Sequence, residues 1–323
     1  MEAQGCYLER VTRASRGPLV VRLRNWVGDV VLSVPTLRRL EQAGYELHLV
    51  GKGWAADLLG GYGWKVHRLA PGRLGAIRQL RELRRDLGGD ARLLIFPYSF
   101  GSALEARAAG FSAVGFGGQA RGWLLGLSVP QRRDLHTREE YWSLGQAFLG
   151  LREPPPAEDQ PWAFAPSAEA EAEALVRRHG LQPGYVVICP FAGGKVDEQL
   201  KRWPHFADFA RGIAREGRSV VICPGSPREE EIARAEYPDA KVLAGVGMSA
   251  YGVLMRRAAL VVSNDTGPGH LAAAAGAKVL SVFGPTSVDR WRTRGPRAEF
   301  LQGWPEWPAS AAVLARSRSL LDA

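Results

Sequence analysis

Twice along this 323-residue chain, short β-branched runs alternate with amphipathic stretches, and a proline-rich segment separates the two series. Strand–helix–strand alternation of this kind predicts a parallel sheet with helices on both faces. In the first series LVVRLR (19–24), ELHLVG (46–51) and ARLLIFPYS (91–99) read as strands. VVLSVPTLRRLEQAG (30–44) and AIRQLRELRRDLGG (76–89) read as helices stopped by glycine, with Pro35 an irregularity in the first. Residues 153–167, EPPPAEDQPWAFAPS, hold four prolines between 154 and 161, the composition of a stiff linker.

The second series begins with SAEAEAEALVRRHG (167–180), a helix with Ser167 as cap and Gly180 as stop. YVVICP (185–190), SVVICPG (219–225), ALVVSN (259–264) and KVLSVFG (278–284) read as strands. PHFADFARGIAREG (204–217), EEEIARAEYP (229–238) and GPGHLAAAAG (267–276) read as helices. The repeated VVICP implies equivalent places in one sheet. The organisation expected is therefore an α/β chain of two Rossmann-like domains facing a cleft. They cover residues 1–152 and 168–305, joined by 153–167, and a C-terminal helix over 306–323 can pack back on the first domain. Open parallel sheets bind ligands beyond the carboxyl ends of their strands, and domain clefts are favoured sites.

No run reaches the ~20 apolar residues that span a bilayer. The opening MEAQGCYLERVTRASRG carries no apolar stretch of the signal-peptide kind, so a cytoplasmic location is expected. Residues 1–150 hold 21 Lys and Arg against 13 Asp and Glu, a net +8 of the chain's +9. A basic first half calls for an acidic partner, and by charge alone a nucleic acid, an anionic membrane and an acidic glycan all fit. Cys6, Cys189 and Cys223 lack metal-ligand spacing and read as inert thiols.

Five loops at strand ends have residues suited to chemistry. In NDTGPGH (264–270), Thr266 is a helix cap, Gly267 and Gly269 let backbone approach a ligand, and the helix start suits a phosphate. There Asp265 is a candidate acceptor for a sugar hydroxyl and His270 a candidate phosphate donor; the alternative is a capped helix with a buried aspartate and a surface histidine. AGGKVDEQLKRWP (192–204) brings Gly193, Gly194, Lys195, Lys201 and Arg202, without P-loop spacing; the alternative is a basic surface loop. In NWVGDVV (25–31), Asp29 is either a general base or an N-cap, and spacing alone favours the cap. In PGSPREEE (224–231) an acid faces a ribose or merely suits the helix dipole. In YSFGSAL (98–104), Ser99 and Ser102 contact a sugar or cap the loop. GxGxxG after the first strand, HExxH and GxSxG are all absent, against a dinucleotide dehydrogenase, a zinc protease and an α/β-hydrolase.

From VVRLRNWVGDVVLSVP to VVSNDTGPGHLAAAAGAKVLSVFGPT the chain resembles the ADP-heptose:lipopolysaccharide heptosyltransferases, glycosyltransferase family nine, with the GT-B fold. NDTGPGHLAAA followed by FGPT is the most specific mark and KRWPHFADFA the second. WVGD with SFGSAL and KRWP is more similar to the branch that adds the second heptose. The resemblance implies an inverting transfer with Asp29 as general base. It assigns Lys201, Asp265, Thr266, Gly267 and His270, with Gly193 and Gly194, to the ADP-heptose donor. It puts Glu229 or Glu230 near the adenosine ribose, and Asn25, Ser99 and Ser102 on the acceptor side. It implies a lipopolysaccharide inner-core acceptor, peripheral contact with the anionic inner membrane, no nucleic acid, and neither metal nor cofactor. A transferase for another sugar nucleotide and a non-catalytic glycan-binding protein are the competing readings.

Overall fold

A computed structural model describes residues 16–157, 160–192 and 201–322; Cys6, Gly193, Gly194 and Lys195 lie outside them. The first sheet is built from β1 (Gly17–Arg22), β2 (Tyr45–Gly51), β3 (Lys65–Arg68), β4 (Arg92–Ile95), β5 (Val114–Phe116) and β6 (Leu127–Val129). Its order is β3-β2-β1-β4-β5-β6, every neighbouring pair parallel. The second sheet holds β7 (Val186–Cys189), β8 (Val220–Ile222), β9 (Ala240–Val242), β10 (Leu260–Asn264), β11 (Val279–Phe283) and β12 (Ala298–Gln302). Its order is β12-β11-β10-β7-β8-β9, again all parallel. Both sheets are wound alike: the chain starts in the middle, adds two strands outward, then crosses to the other side of its first strand. That crossing is the switch point where such folds bind ligands.

The helices are α1 (Val27–Gln42), α2 (Ala55–Leu58), α3 (Gly72–Asp86), α4 (Phe100–Ala108), α5 (Thr137–Leu149) and α6 (Ala168–Arg178) in the first run. They continue with α7 (Phe206–Arg215), α8 (Pro227–Glu236), α9 (Met248–Arg257), α10 (Gly267–Ala274), α11 (Val288–Trp291) and α12 (Ser310–Asp322). None of the described helices is long and apolar enough to cross a membrane. The central strands β7, β10 and β11 are buried at every residue, as expected for strands covered on both faces. The two VVICP fragments are neighbours in register, with Val186 beside Val220 and Val187 beside Val221.

Three local expectations need correction. Helix α1 starts three residues before the expected position and runs through Pro35; burial of Val30, Val31, Val34, Leu37 and Leu40 outweighs the one lost backbone bond. Ser167 precedes α6 but its side chain makes no cap hydrogen bond. The C-terminal helix α12 packs on the second half, not the first. Val313 and Leu320 join Phe206, Phe209 and Ile213 in one core, and Arg318 pairs with Glu216. The apolar face of α7 is the nearer partner, and Gly212 makes room there for Leu314.

Candidate active site

Strand β1 lies between β2 and β4, and β10 between β11 and β7, so each stands at its sheet's switch point. The helices that follow them, α1 and α10, meet at their first turns. A Cβ on Gly28 would lie 2.9 Å from His270 Cδ2, and one on Gly267 would lie 2.8 Å from Val27 Cβ and 3.0 Å from Gly28 N. Only glycine permits this approach at both positions. Neither helix start has a side-chain cap: Trp26 makes no such bond, and Thr266, expected to cap α10, makes none either. Two positive helix ends therefore converge, an arrangement that an anion between them stabilises.

Asp29 stands in the first turn of α1 rather than at its N-cap, a position held by Trp26. Its carboxylate is buried and accepts hydrogen bonds from the Tyr141 hydroxyl and, at 3.3 Å, from Arg24 Nε. Burial, then the charge of Asp29, pushes the Tyr141 phenol well above its ordinary value, so it stays a donor. Arg24 lies 4.4 Å over the Tyr98 ring, and Tyr98 donates to Glu140 at 2.8 Å. Glu140, fully buried, also accepts from Arg290 of the second half at 2.7 Å. Beside it Arg294 reaches Glu139 at 2.8 Å. His136 Nδ1 accepts from Arg138 N, so its Nε2–H donates to the Arg292 carbonyl at 2.9 Å. Burial holds this imidazole down at about 4, neutral at neutral pH.

Across the gap, Lys201 Nζ is 3.8 Å from Asp265 Oδ2, and His270 Nε2 is 3.9 Å from Asp265 Oδ1. His270 is a buried residue, not a surface one, and burial followed by the nearby His136 lowers it to about 3. It offers a neutral N–H to a ligand, not a charge. Asn264, the last residue of β10, is fully buried. Its Oδ1 accepts from Trp203 N at 2.9 Å and its Nδ2 donates to the Pro190 carbonyl at 2.8 Å. It thereby ties the ends of β7 and β10 to the segment that carries Lys201.

Other candidates have local roles in this structure. Ser226, Glu229 and Gly225 form a capping box at α8, with Gly225 N donating to Glu229 at 2.7 Å, and Glu230 pairs with Arg234. Ser99 caps α4 by accepting from Ser102 N, while Ser102 is buried and receives Arg121 Nη1 at 3.2 Å. Asn25 is exposed, and its neighbour Arg24 is the residue that reaches Asp29. Gly193 and Gly194 fall outside the described residues. The buried Cys189 thiol is pushed up to about 12 by its surroundings.

Asp265 gives a pH signature. Burial raises it to about 6 against the pull of Lys201 and a Thr286 hydrogen bond, and the charge of Asp29 adds to the rise. A carboxyl raised in the folded state stabilises the fold fully below the unfolded value, and that contribution is lost as pH climbs through 6. Two units correspond to about 3 kcal/mol. The Asp265→Asn variant is expected to gain melting temperature over wild type between pH 4 and pH 8, read by calorimetry; parallel curves would show that Asp265 is not held above its ordinary value.

Two like-wound parallel sheets whose switch-point helices converge on one site define a two-lobed α/β fold of the GT-B class. The E. coli ADP-heptose lipopolysaccharide heptosyltransferase II structure has this fold, with TM-score 0.74 and 22% identity over 94% of this chain and 98% of that one. So does a family 9 glycosyl transferase from Veillonella parvula, with TM-score 0.75 and 18% identity over 96% of each chain. Residues 80–314 match the sequence profile of glycosyltransferase family 9 (heptosyltransferase), and the chain belongs to that family. It is a glycosyltransferase. Lipopolysaccharide heptosyltransferase 2 of E. coli K12 is 28% identical over 292 residues, 82% of either protein. Lipopolysaccharide heptosyltransferase 1 of Pseudomonas aeruginosa is 36% identical over 92 residues, 27% of this chain and 26% of that one.

Proposed function

We propose that this enzyme transfers heptose from ADP-L-glycero-D-manno-heptose to the lipopolysaccharide inner core, adding the second heptose with inversion. The observation that carries the reading is the contact of Gly28 with Gly267 and His270, because it brings Asp29 opposite the start of α10. The family relatives in E. coli and Salmonella named lipopolysaccharide heptosyltransferase 2, each 28% identical over 82% of this chain, support the acceptor and the second-heptose assignment. In this mechanism the donor diphosphate lies against the N–H groups of Gly267 and Gly269, with Lys201 as counter-charge and His270 as neutral donor. The acceptor hydroxyl attacks the anomeric carbon and its proton passes to Asp29. The bond from that carbon to the diphosphate breaks, and ADP leaves with the electron pair, stabilised by Lys201 and the helix start. Glu229 suits the adenosine ribose better than Glu230, since its carboxylate faces the end of β8 while Glu230 pairs with Arg234 along the helix.

The acceptor side is expected to touch the membrane. Trp26, Leu74, Phe100 and Trp123 are exposed, and each follows a strand of the first sheet at its carboxyl edge. Aromatic side chains over a basic half suit an anionic interface. Flotation with phosphatidylglycerol vesicles is expected to carry the protein, and a Trp26→Ser/Trp123→Ser variant to stay behind; equal flotation of both would remove this element.

The direct test incubates the enzyme with a panel of sugar nucleotides and lipopolysaccharide carrying a single heptose. A mass gain of one heptose, from ADP-heptose alone, is expected. Turnover of a different sugar nucleotide, or binding without transfer, would replace the proposal by one of its competitors.

A further inference from the structure

Further along α1 and α10, away from their starts, a cavity of 170 Å³ lies between the two halves. Val34, Pro35, Trp142 and Trp162 give it apolar and aromatic walls, and His270 lines it at the side nearest the start of α10. Trp162 Nε1 and His270 Nδ1 are buried and have no hydrogen-bond partner among the described residues. The Cδ2–Nε2 edge of the His270 ring faces Gly28 and Asp265, which turns the Nδ1 edge toward the cavity. Of the arginines in the lining, Arg39 pairs with Glu153 and Arg294 with Glu139. Arg38 bonds the Pro161 carbonyl at 3.3 Å, stacks on Tyr62, and has no carboxylate partner among the described residues.

These groups define a ligand. The Trp162 indole N–H and the Arg38 guanidinium are donors only, so the end of the molecule beside them must present an acceptor, while His270 Nδ1, an acceptor when Nε2 carries the proton, asks for no anion at its own end. An arginine with no carboxylate partner among the described residues favours that acceptor as an anion. Two indole rings and a proline favour a flat apolar body. We propose that this cavity is a second ligand site, separate from the sugar-nucleotide site, for a compact aromatic carboxylate. The ring lies among Trp142, Trp162 and Pro35, and the carboxylate accepts from Trp162 Nε1–H and Arg38. Such a ligand touches α1 and Trp142 of the first half and Ala274 and His270 of the second, so its binding and the approach of the halves are linked.

The site goes beyond the transfer reaction, and its test reads binding alone. Naphthalene-2-carboxylate is titrated calorimetrically into the full chain, with and without saturating ADP; ADP binding is titrated separately. Wild type is expected to take up one equivalent with Kd on the order of 0.1–1 mM, ordinary for a ligand of this size. Ala274→Phe fills the cavity and Arg38→Glu reverses its charge. Each is expected to weaken the probe at least tenfold while melting temperature and ADP titration stay near wild type. The neutral naphthalene-2-carboxamide is expected to bind wild type and Arg38→Glu alike. Absence of saturable uptake, equal uptake by wild type and Arg38→Glu, or full displacement of the probe by ADP overturns the proposal.

Discussion

Replacing Asp29 by Asn is expected to lower turnover by at least about 100-fold, equivalent to roughly 2.7 kcal/mol in the barrier, while ADP affinity holds or improves. Asn has the same shape, and its amide oxygen still accepts from Tyr141, so the first turn of α1 keeps its packing. The change removes the ability to take a proton, a negative charge near the diphosphate, and the charge that pairs with Arg24. The split between turnover and binding separates a base from a structural aspartate, which would lose both together with melting temperature. Steady-state transfer and ADP calorimetry on the same preparation read it; near-normal turnover refutes the assignment.

The second large effect is expected at Asn264. Its side chain satisfies one backbone N–H and one backbone carbonyl inside the second half. Asn264→Ala strands both, at about 1–3 kcal/mol each. A fall in melting temperature of about 6 °C or more should follow. ADP affinity should fall with it, because the bond to Trp203 N holds the chain two residues from Lys201, and Lys201 Nζ stands 3.8 Å from Asp265. A variant with wild-type melting and ADP binding would show that the β10 end does not depend on this residue.

The architecture was legible because its central strands carry β-branched apolar runs, several of them closed by glycine or proline. The VVSN strand, the Gly-Pro-Gly helix start and the VVSNDTGPGH order point to one site without any tertiary knowledge. β3, β5, β6, β9 and β12 are not legible in the sequence: they have three to five residues and stand at or near sheet edges, too short or too exposed for an apolar run to show. Spacing alone favours a cap for Asp29, because the distance from the strand fits one, and only the family resemblance points to a general base. What sets its surroundings is Tyr141, 112 residues away, and no local pattern reports such a contact. Glu140 with Arg290, 150 residues apart, is hidden for the same reason. Thr266 failed as a cap although its residue type and position suit one. The uncapped N–H groups of that helix start stay open to an anion, as the proposed donor site requires.

The central claim is that a diphosphate sits at the start of α10, facing Asp29 from the other half. A crystal structure of the ADP complex measures this directly. The account predicts phosphate oxygens at about 3 Å from Gly267 N, Gly269 N and Lys201 Nζ, on the side of Asp29. ADP seated elsewhere, with those three groups untouched, would contradict it.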